Sequence, residues 1–203
     1  SQYNVERDLR MAPGESVELD SVLGVARTRA DALTLIDKHL DPRLTERVFG
    51  MAWTHSQVLL HHVRATEAEA QLYARMAGAL IYANPRLRAG PSLIARNRRG
   101  QSALWSHAIS GDHPIVLLRM TEATNLALVR QMVQAHSYWR SKGLKVDLVI
   151  WAEAYSGYRQ NLLDAILGLI NAGPEAKILD QPGGIFVRNV DALPPEDRLL
   201  MQA

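Results

Sequence analysis

The sequence predicts a mixed α and β fold: an amino-terminal strand pair, a helical middle, and a three-stranded parallel α/β unit at the end. Three observations predict it. Val17 and Leu19 alternate with Glu18 and Asp20 beside a Pro13-Gly14 turn. Residues 29–82 then carry apolar positions at helical spacing between well-marked starts. Beyond Gln101, short apolar runs alternate with helical patterns in the order strand, helix, strand, helix, strand.

Element by element, Val5 to Met11 and Val17 to Ala26 read as two half-buried strands across the Pro13-Gly14 turn. Two strands alone are marginal, so this hairpin, within 1–26, is expected either to pack on the helices or, the favoured reading, to belong to a sheet whose other strands lie upstream. Helices follow at Arg29 to His39, Pro42 to Val63 and Glu67 to Tyr82, within a helical middle over 27–83. Asp41-Pro42 supplies a cap and a first-turn proline, and Thr66 with Glu69 a capping box. Val48, Met51, Ala52, His55, Val58 and Leu59 on one helix, and Leu72, Met76, Ala79 and Leu80 on the next, predict an antiparallel pair. Residues 84–100 break the pattern with Pro85, Gly90, Pro91 and Gly100, and gather Arg86, Arg88, Arg96, Arg98 and Arg99 into an arginine-rich loop. Within 101–203, strands are expected at Ile115 to Met120, Val146 to Trp151 and Ile185 to Val187. Helices at Leu126 to Arg140 and Tyr158 to Ile170 make the crossovers, whose length implies parallel, right-handed connections. Pro194-Pro195-Glu196-Asp197 opens a last helix still in apolar register at Leu199, Leu200 and Met201, which reads as truncated.

With 203 residues, 47% of them hydrophobic, the chain buries a substantial core. A formal charge of +2, from 23 basic and 21 acidic residues, gives no electrostatic case for nucleic acid. The absence of cysteine excludes disulfides and thiolate metal sites. Apolar runs fall far short of the roughly 20 residues of a spanning helix, so a soluble fragment without direct membrane insertion is expected.

Ligands of an open parallel sheet collect outside the carboxyl ends of its strands. That rule singles out Thr121, Glu122 and Thr124 after the first strand, Glu153, Tyr155 and Ser156 after the second, and Arg188, Asn189 and Asp191 after the third. Thr121, Glu122, Glu153, Tyr155, Arg188 and Asn189 form the candidate carbohydrate site, since carboxylates, amides and guanidinium groups match sugar hydroxyls. Trp151 or Tyr155 would add an aromatic face. Ser110, Gly111 and Asp112 gather a hydroxyl and a carboxylate beside His113, but a nucleophile elbow needs a strand before it and a glycine on each side. They are assigned to a structural turn with Gly111 at positive φ, Asp112 bonding local amides and Pro114 opening the strand. A self-contained hydrolase using Ser110, Asp112 and a distant histidine such as His136 is the competing reading. His39, His55, His61 and His62 lack metal-ligand spacing, so no metal is assigned, and they are expected as partly buried helix residues. No cofactor motif is present: Gly183-Gly184 and Ala172-Gly173-Pro174 read as turns. The arginine-rich loop, without interleaved aromatics, reads as a linker or as a docking surface for an acidic domain face or lipid headgroups.

The blocks VLGVARTRADALTLIDKH, AWTHSQVLLHH, EAQLYARMAGALIY, GQSALWSHAISGDHPIVLLRM, AHSYWRSKGLKVDLVIWAE and PGGIFVRNVDALPPEDRLLMQA resemble, in order, the carboxy-terminal, glycoside phosphorylase-like part of cyclic β-1,2-glucan synthases. Ala108 departs from the glycine expected there. The resemblance implies an internal fragment of a glycosyltransferase, beginning with the last strands of a β-sandwich followed by linker helices. The family's general acid lies in an Asp-Trp-Asn-Asp type motif that does not occur in this chain, so no catalytic residue is carried over. What the resemblance implies is a noncatalytic structural or carbohydrate-binding segment that supports glucan synthesis and chain-length control. Its partners would be β-1,2-glucan or gluco-oligosaccharide and other domains of the same polypeptide. The full-length protein is expected in the bacterial inner membrane with this region on the cytoplasmic side.

Overall fold

A computed structural model describes residues 10–17, 23–39, 41–121, 125–153 and 159–203. The chain forms two compact units, Ser1–Ser56 and Gln57–Ala203. The first contains α1 (Arg29–His39), and the unit boundary falls within α2 (Pro42–Val63). Most of the predicted strand pair lies outside the described residues. Its described flanks, 10–17 and 23–26, show the Pro13-Gly14 turn and no strand.

Both helical starts read from the sequence are built as their chemistry dictates. The Asp41 carboxylate accepts from the Arg43 amide at 3.0 Å. At the start of α3 (Glu67–Ile81), Thr66 Oγ1 accepts from the Glu69 amide at 3.3 Å while Glu69 Oε2 accepts from the Thr66 amide at 2.7 Å. The helix faces behave differently from expectation. Val48, Met51 and Val58 of α2 are exposed, and only its last turn buries Leu60 and Val63. α3 instead packs on α5 (Leu126–Ser141). Tyr73, wholly buried, offers its main-chain carbonyl to the Trp139 indole N–H at 2.8 Å and its ring to Tyr138 at 6.0 Å between centroids. Helical periodicity marks a face to bury but not the element that covers it.

The second unit is a three-layer arrangement around β1 (Ile115–Met120), β2 (Asp147–Ala152) and β3 (Ile185–Asn189), parallel and in spatial order β1-β2-β3. All six residues of β2 are buried. Because successive side chains alternate, Leu148, Ile150 and Ala152 join Met120 and Ile185 in a core with α3, α5 and α6 (Arg159–Asn171). Val149 and Trp151 point the other way, against Phe186, Leu104, Ile109, Leu193 and Met201. That second face is covered by a 3-10 helix at Gln101–His107 and by α7 (Pro195–Gln202). Within 101–203 the predicted strands and crossovers form, with bounds kept or shifted by one or two residues. The arginine-rich stretch is not simply a loop: Pro85–Leu87 makes a 3-10 turn and Pro91–Arg96 the short helix α4, each opened by a proline whose missing N–H costs nothing at a helix start. Among the described residues no helix is long and apolar enough to cross a membrane.

Two glycines hold the turn before β3. A side chain on Gly184 would place its Cβ 2.0 Å from the Ile178 carbonyl oxygen, and Gly183 sits at φ +70°. The Gly183 amide donates to Asp147 Oδ1 at 2.6 Å, tying the turn to the start of β2. Beside it, His136 is fully buried with Nε2 on the Val146 carbonyl at 2.9 Å and Nδ1 unpartnered. Burial holds the His136 imidazole below its ordinary range, with the nearby Arg140 charge acting the same way. The Asp147 carboxyl is pushed up by burial, partly opposed by the Gly183 amide and the His113 charge.

Two outcomes follow from this geometry. A histidine kept neutral by the fold contributes its full share of stability above the ordinary histidine pKa, about 6.5, and loses it as pH falls below that value. The destabilisation caused by His136→Gln, measured by urea unfolding, should therefore shrink between pH 7.5 and pH 5.5, while a constant difference would contradict a buried neutral ring. Ala108, the C-cap of the 3-10 helix, occupies the left-handed region at φ 61°, ψ 16°. An L side chain there costs roughly 1 kcal/mol, so Ala108→Gly should raise unfolding free energy by about that amount.

Candidate functional site

The parallel register brings the carboxyl ends of the strands to one edge. Arg119 stands opposite Trp151, which stands opposite Arg188, and Met120, Ala152 and Asn189 form the next row. The Glu153 amide continues the ladder to the Met120 carbonyl at 2.7 Å, so Thr121 and Glu153 come out side by side. Glu153 is gripped by Arg119 through two parallel bonds, Nε to Oε1 at 2.7 Å and Nη2 to Oε2 at 2.9 Å. Such fork-to-fork pairing fixes both planar groups while leaving acceptor lone pairs on the carboxylate and further donors on the guanidinium. Thr121 is exposed beside this pair.

At the β3 end the predicted residues are largely engaged inside the protein. Arg188 donates through Nη2 to the His107 carbonyl at 2.6 Å, pairs with Asp180 at 2.7 Å and lies over the Phe186 ring. Asn189 Oδ1 accepts from the Asp191 amide at 3.1 Å and so caps the 3-10 turn Val190–Ala192. Glu122, Thr124, Tyr155 and Ser156 lie outside the described residues. Trp151 offers no face to a sugar: it is wholly buried, because its odd place in β2 turns the indole into the second core.

The Ser110-Gly111-Asp112 segment is a braced turn. Gly111 sits at φ +75°, where a Cβ would meet Gln101 Cγ at 2.7 Å. The Gln101 amide donates to the Ser110 carbonyl at 2.9 Å and to Asp112 Oδ1 at 3.0 Å, and the Trp105 indole N–H also reaches the Ser110 carbonyl, at 3.2 Å. The Asp112 carboxylate thus accepts from a side chain rather than from local amides. The local bond runs the other way, from the Asp112 amide to Ser110 Oγ at 3.2 Å. No hydrogen bond joins Ser110 to a histidine, and His136 is buried on the Val146 carbonyl, so the two are not brought together as a nucleophile and base. His55, His61 and His62 are exposed rather than packed.

One charged network escaped the sequence reading. Asp197, nearly buried at the start of α7, has its Oδ2 3.0 Å from His107 Nε2 and its Oδ1 3.5 Å from Arg99 Nε. Arg99 also forks onto Glu196 Oε2 through Nε at 2.9 Å and Nη2 at 2.5 Å. The network fastens α7 to the 3-10 helix and removes Arg99 from the free positive charge of its loop. Arg86, Arg88, Arg96 and Arg98 stay exposed. Nothing in the sequence pairs positions about ninety residues apart.

No family model matches the chain. Over 159 residues, 78% of its length, the chain is 33% identical to the cyclic beta-(1,2)-glucan synthase NdvB of Rhizobium meliloti (strain 1021). It spans only 6% of that relative's length. The resemblance read from the ordered sequence blocks therefore holds: most of this chain is similar to one short stretch of a cyclic β-1,2-glucan synthase.

Proposed function

We propose that the chain is a noncatalytic segment of a β-1,2-glucan-synthesising protein that contributes structure and a glucan contact, and through these supports chain-length control. The single observation that carries the reading is the 33% identity to a cyclic β-1,2-glucan synthase over most of the chain. The sheet edge gives it chemistry. Exposed Thr121 and the Arg119–Glu153 fork supply a hydroxyl, acceptor lone pairs and guanidinium N–H groups within a few ångströms, a set suited to the vicinal hydroxyls of glucose. Glu122, Tyr155, Arg188 and Asn189 complete the proposed site.

The structural part of the role is supported by β1. Its outer edge has no strand partner among the described residues, and a groove of about 630 Å³ beside it is lined by Met76, Leu80, Leu87, Ile115, Leu117 and Leu200. A mainly apolar groove along a strand edge unpaired among the described residues, with Arg88, His113 and Gln202 also lining it, suits another part of the same polypeptide. In this reading the parent protein is a membrane-associated glycosyltransferase and the present region faces the cytoplasm. Arg86, Arg88, Arg96 and Arg98, exposed and without an ion-pair partner among the described residues, support a second reading, salt-sensitive docking onto an acidic surface of a neighbouring domain.

Linear β-1,2-linked gluco-oligosaccharides titrated into the labelled chain should shift the amide resonances of Thr121 and Glu153, with β-1,4-linked oligosaccharides causing smaller shifts. Glu153→Ala should weaken the β-1,2 interaction at least fivefold while the rest of the spectrum stays dispersed. Unchanged affinity in that variant would remove the sugar site from this edge.

A further inference from the structure

The opposite end of the sheet carries a second concavity, of about 260 Å³, lined by Arg140, Gly143, Lys145, Ile178, Gln181 and Pro182. Its polar side chains are two cations and one amide, and no carboxylate lines it. Among the described residues neither Arg140 nor Lys145 has an ion-pair partner. Arg140 is nonetheless held in place, because its Nη1 donates to the Gly183 carbonyl at 2.7 Å. One of its five N–H groups is used there, and the remaining ones keep a fixed fork direction. Lys145 lies over the same glycine, with its Cβ 3.5 Å from the position a Gly183 Cβ would take. A second nearby lysine is engaged elsewhere, with Lys142 Nζ 5.8 Å from the centre of the Tyr138 ring.

Two carboxylates neighbour this corner: Asp180, next to Gln181 in the chain and paired with Arg188 at 2.7 Å, and Asp147, which faces inward. It is fully buried, with Oδ1 on the Gly183 amide, and its carboxyl is held toward the neutral form by burial. Among the described residues it makes no ion pair with Arg140 or Lys145. A guanidinium anchored on the Gly183 carbonyl, an ammonium without an ion-pair partner among the described residues and an amide donor match the chemistry of a tetrahedral oxyanion, with bidentate bonds from Arg140 and a point charge from Lys145.

We propose that this concavity, formed by Arg140, Lys145 and Gln181 at the amino-terminal end of β2, is a binding site for a phosphate group, free or as a phosphomonoester. The site is independent of the sugar edge, which lies at the other end of the strands.

Inorganic phosphate and methyl phosphate, titrated separately at fixed pH and constant chloride-balanced ionic strength, distinguish the two sources. Saturable shifts at Gly143, Lys145 and Gln181 are expected at millimolar concentration, with acetate giving none. The tighter of the two probes then identifies the free ion or the ester as the better ligand. Lys145 is exposed, so Lys145→Gln should fold normally and lose at least fivefold in affinity, whereas Lys38→Gln on α1 should bind as the unchanged chain does. Shifts that grow linearly without saturation, or equal affinity in Lys145→Gln, would overturn the proposal.

Discussion

Six consecutive residues shut away from solvent, Asp147–Ala152, are the constraint on which the second unit depends. A strand paired on both edges and covered on both faces needs parallel neighbours, apolar side chains on alternate sides, and two layers to cover them. β1 and β3 provide the first, Leu148, Ile150, Val149 and Trp151 the second, and α5 with α6 on one side and the 3-10 helix with α7 on the other the third. Burial of each such side chain contributes roughly 1.5–3 kcal/mol, far more than any single surface ion pair in the chain. The polar beginning of the strand is where this order is hardest to keep. Asp147 is retained there because Gly183 brings an amide to it, and Gly184 lets the following turn pass against the Ile178 carbonyl.

The same constraint explains what the sequence made legible. Short β-branched runs separated by helical lengths have few solutions, so strands, crossovers and parallel order could be read directly. Helix starts were equally plain, because Thr66 with Glu69 and Asp41 with Pro42 are local chemistry. Partners were not. The apolar periodicity of α2 and α3 suggested that they cover each other, yet α3 packs on α5 through Tyr73 and Trp139, contacts more than sixty residues apart in sequence. Trp151 was misread for a related reason: proximity to the carboxyl edge says nothing about which face an aromatic turns to.

Site residues were legible in place but not in state. The rule for parallel sheets located Thr121, Glu153, Arg188 and Asn189 on one edge, and the register confirms that neighbourhood. It could not show that Arg119, never singled out, grips Glu153, or that Arg188 is committed to His107 and Asp180. The Ser110 turn illustrates the reverse. The sequence assigned a hydroxyl, a carboxylate and a glycine to a turn, and they form one that delivers the chain into β1, but the brace comes from Gln101 and Trp105, which were not singled out. The positive φ of Ala108 gives the departure from glycine a physical meaning: the backbone keeps the conformation although the residue disfavours it.

Hydrogen exchange measured residue by residue under native conditions tests the central role of β2 most directly. The amides of Leu148 to Ala152 should exchange only through global unfolding, with a free energy equal to that from denaturant titration and higher than that of the amides of α7. Exchange of β2 as fast as α7, through a local opening insensitive to denaturant, would contradict an organisation built around that strand.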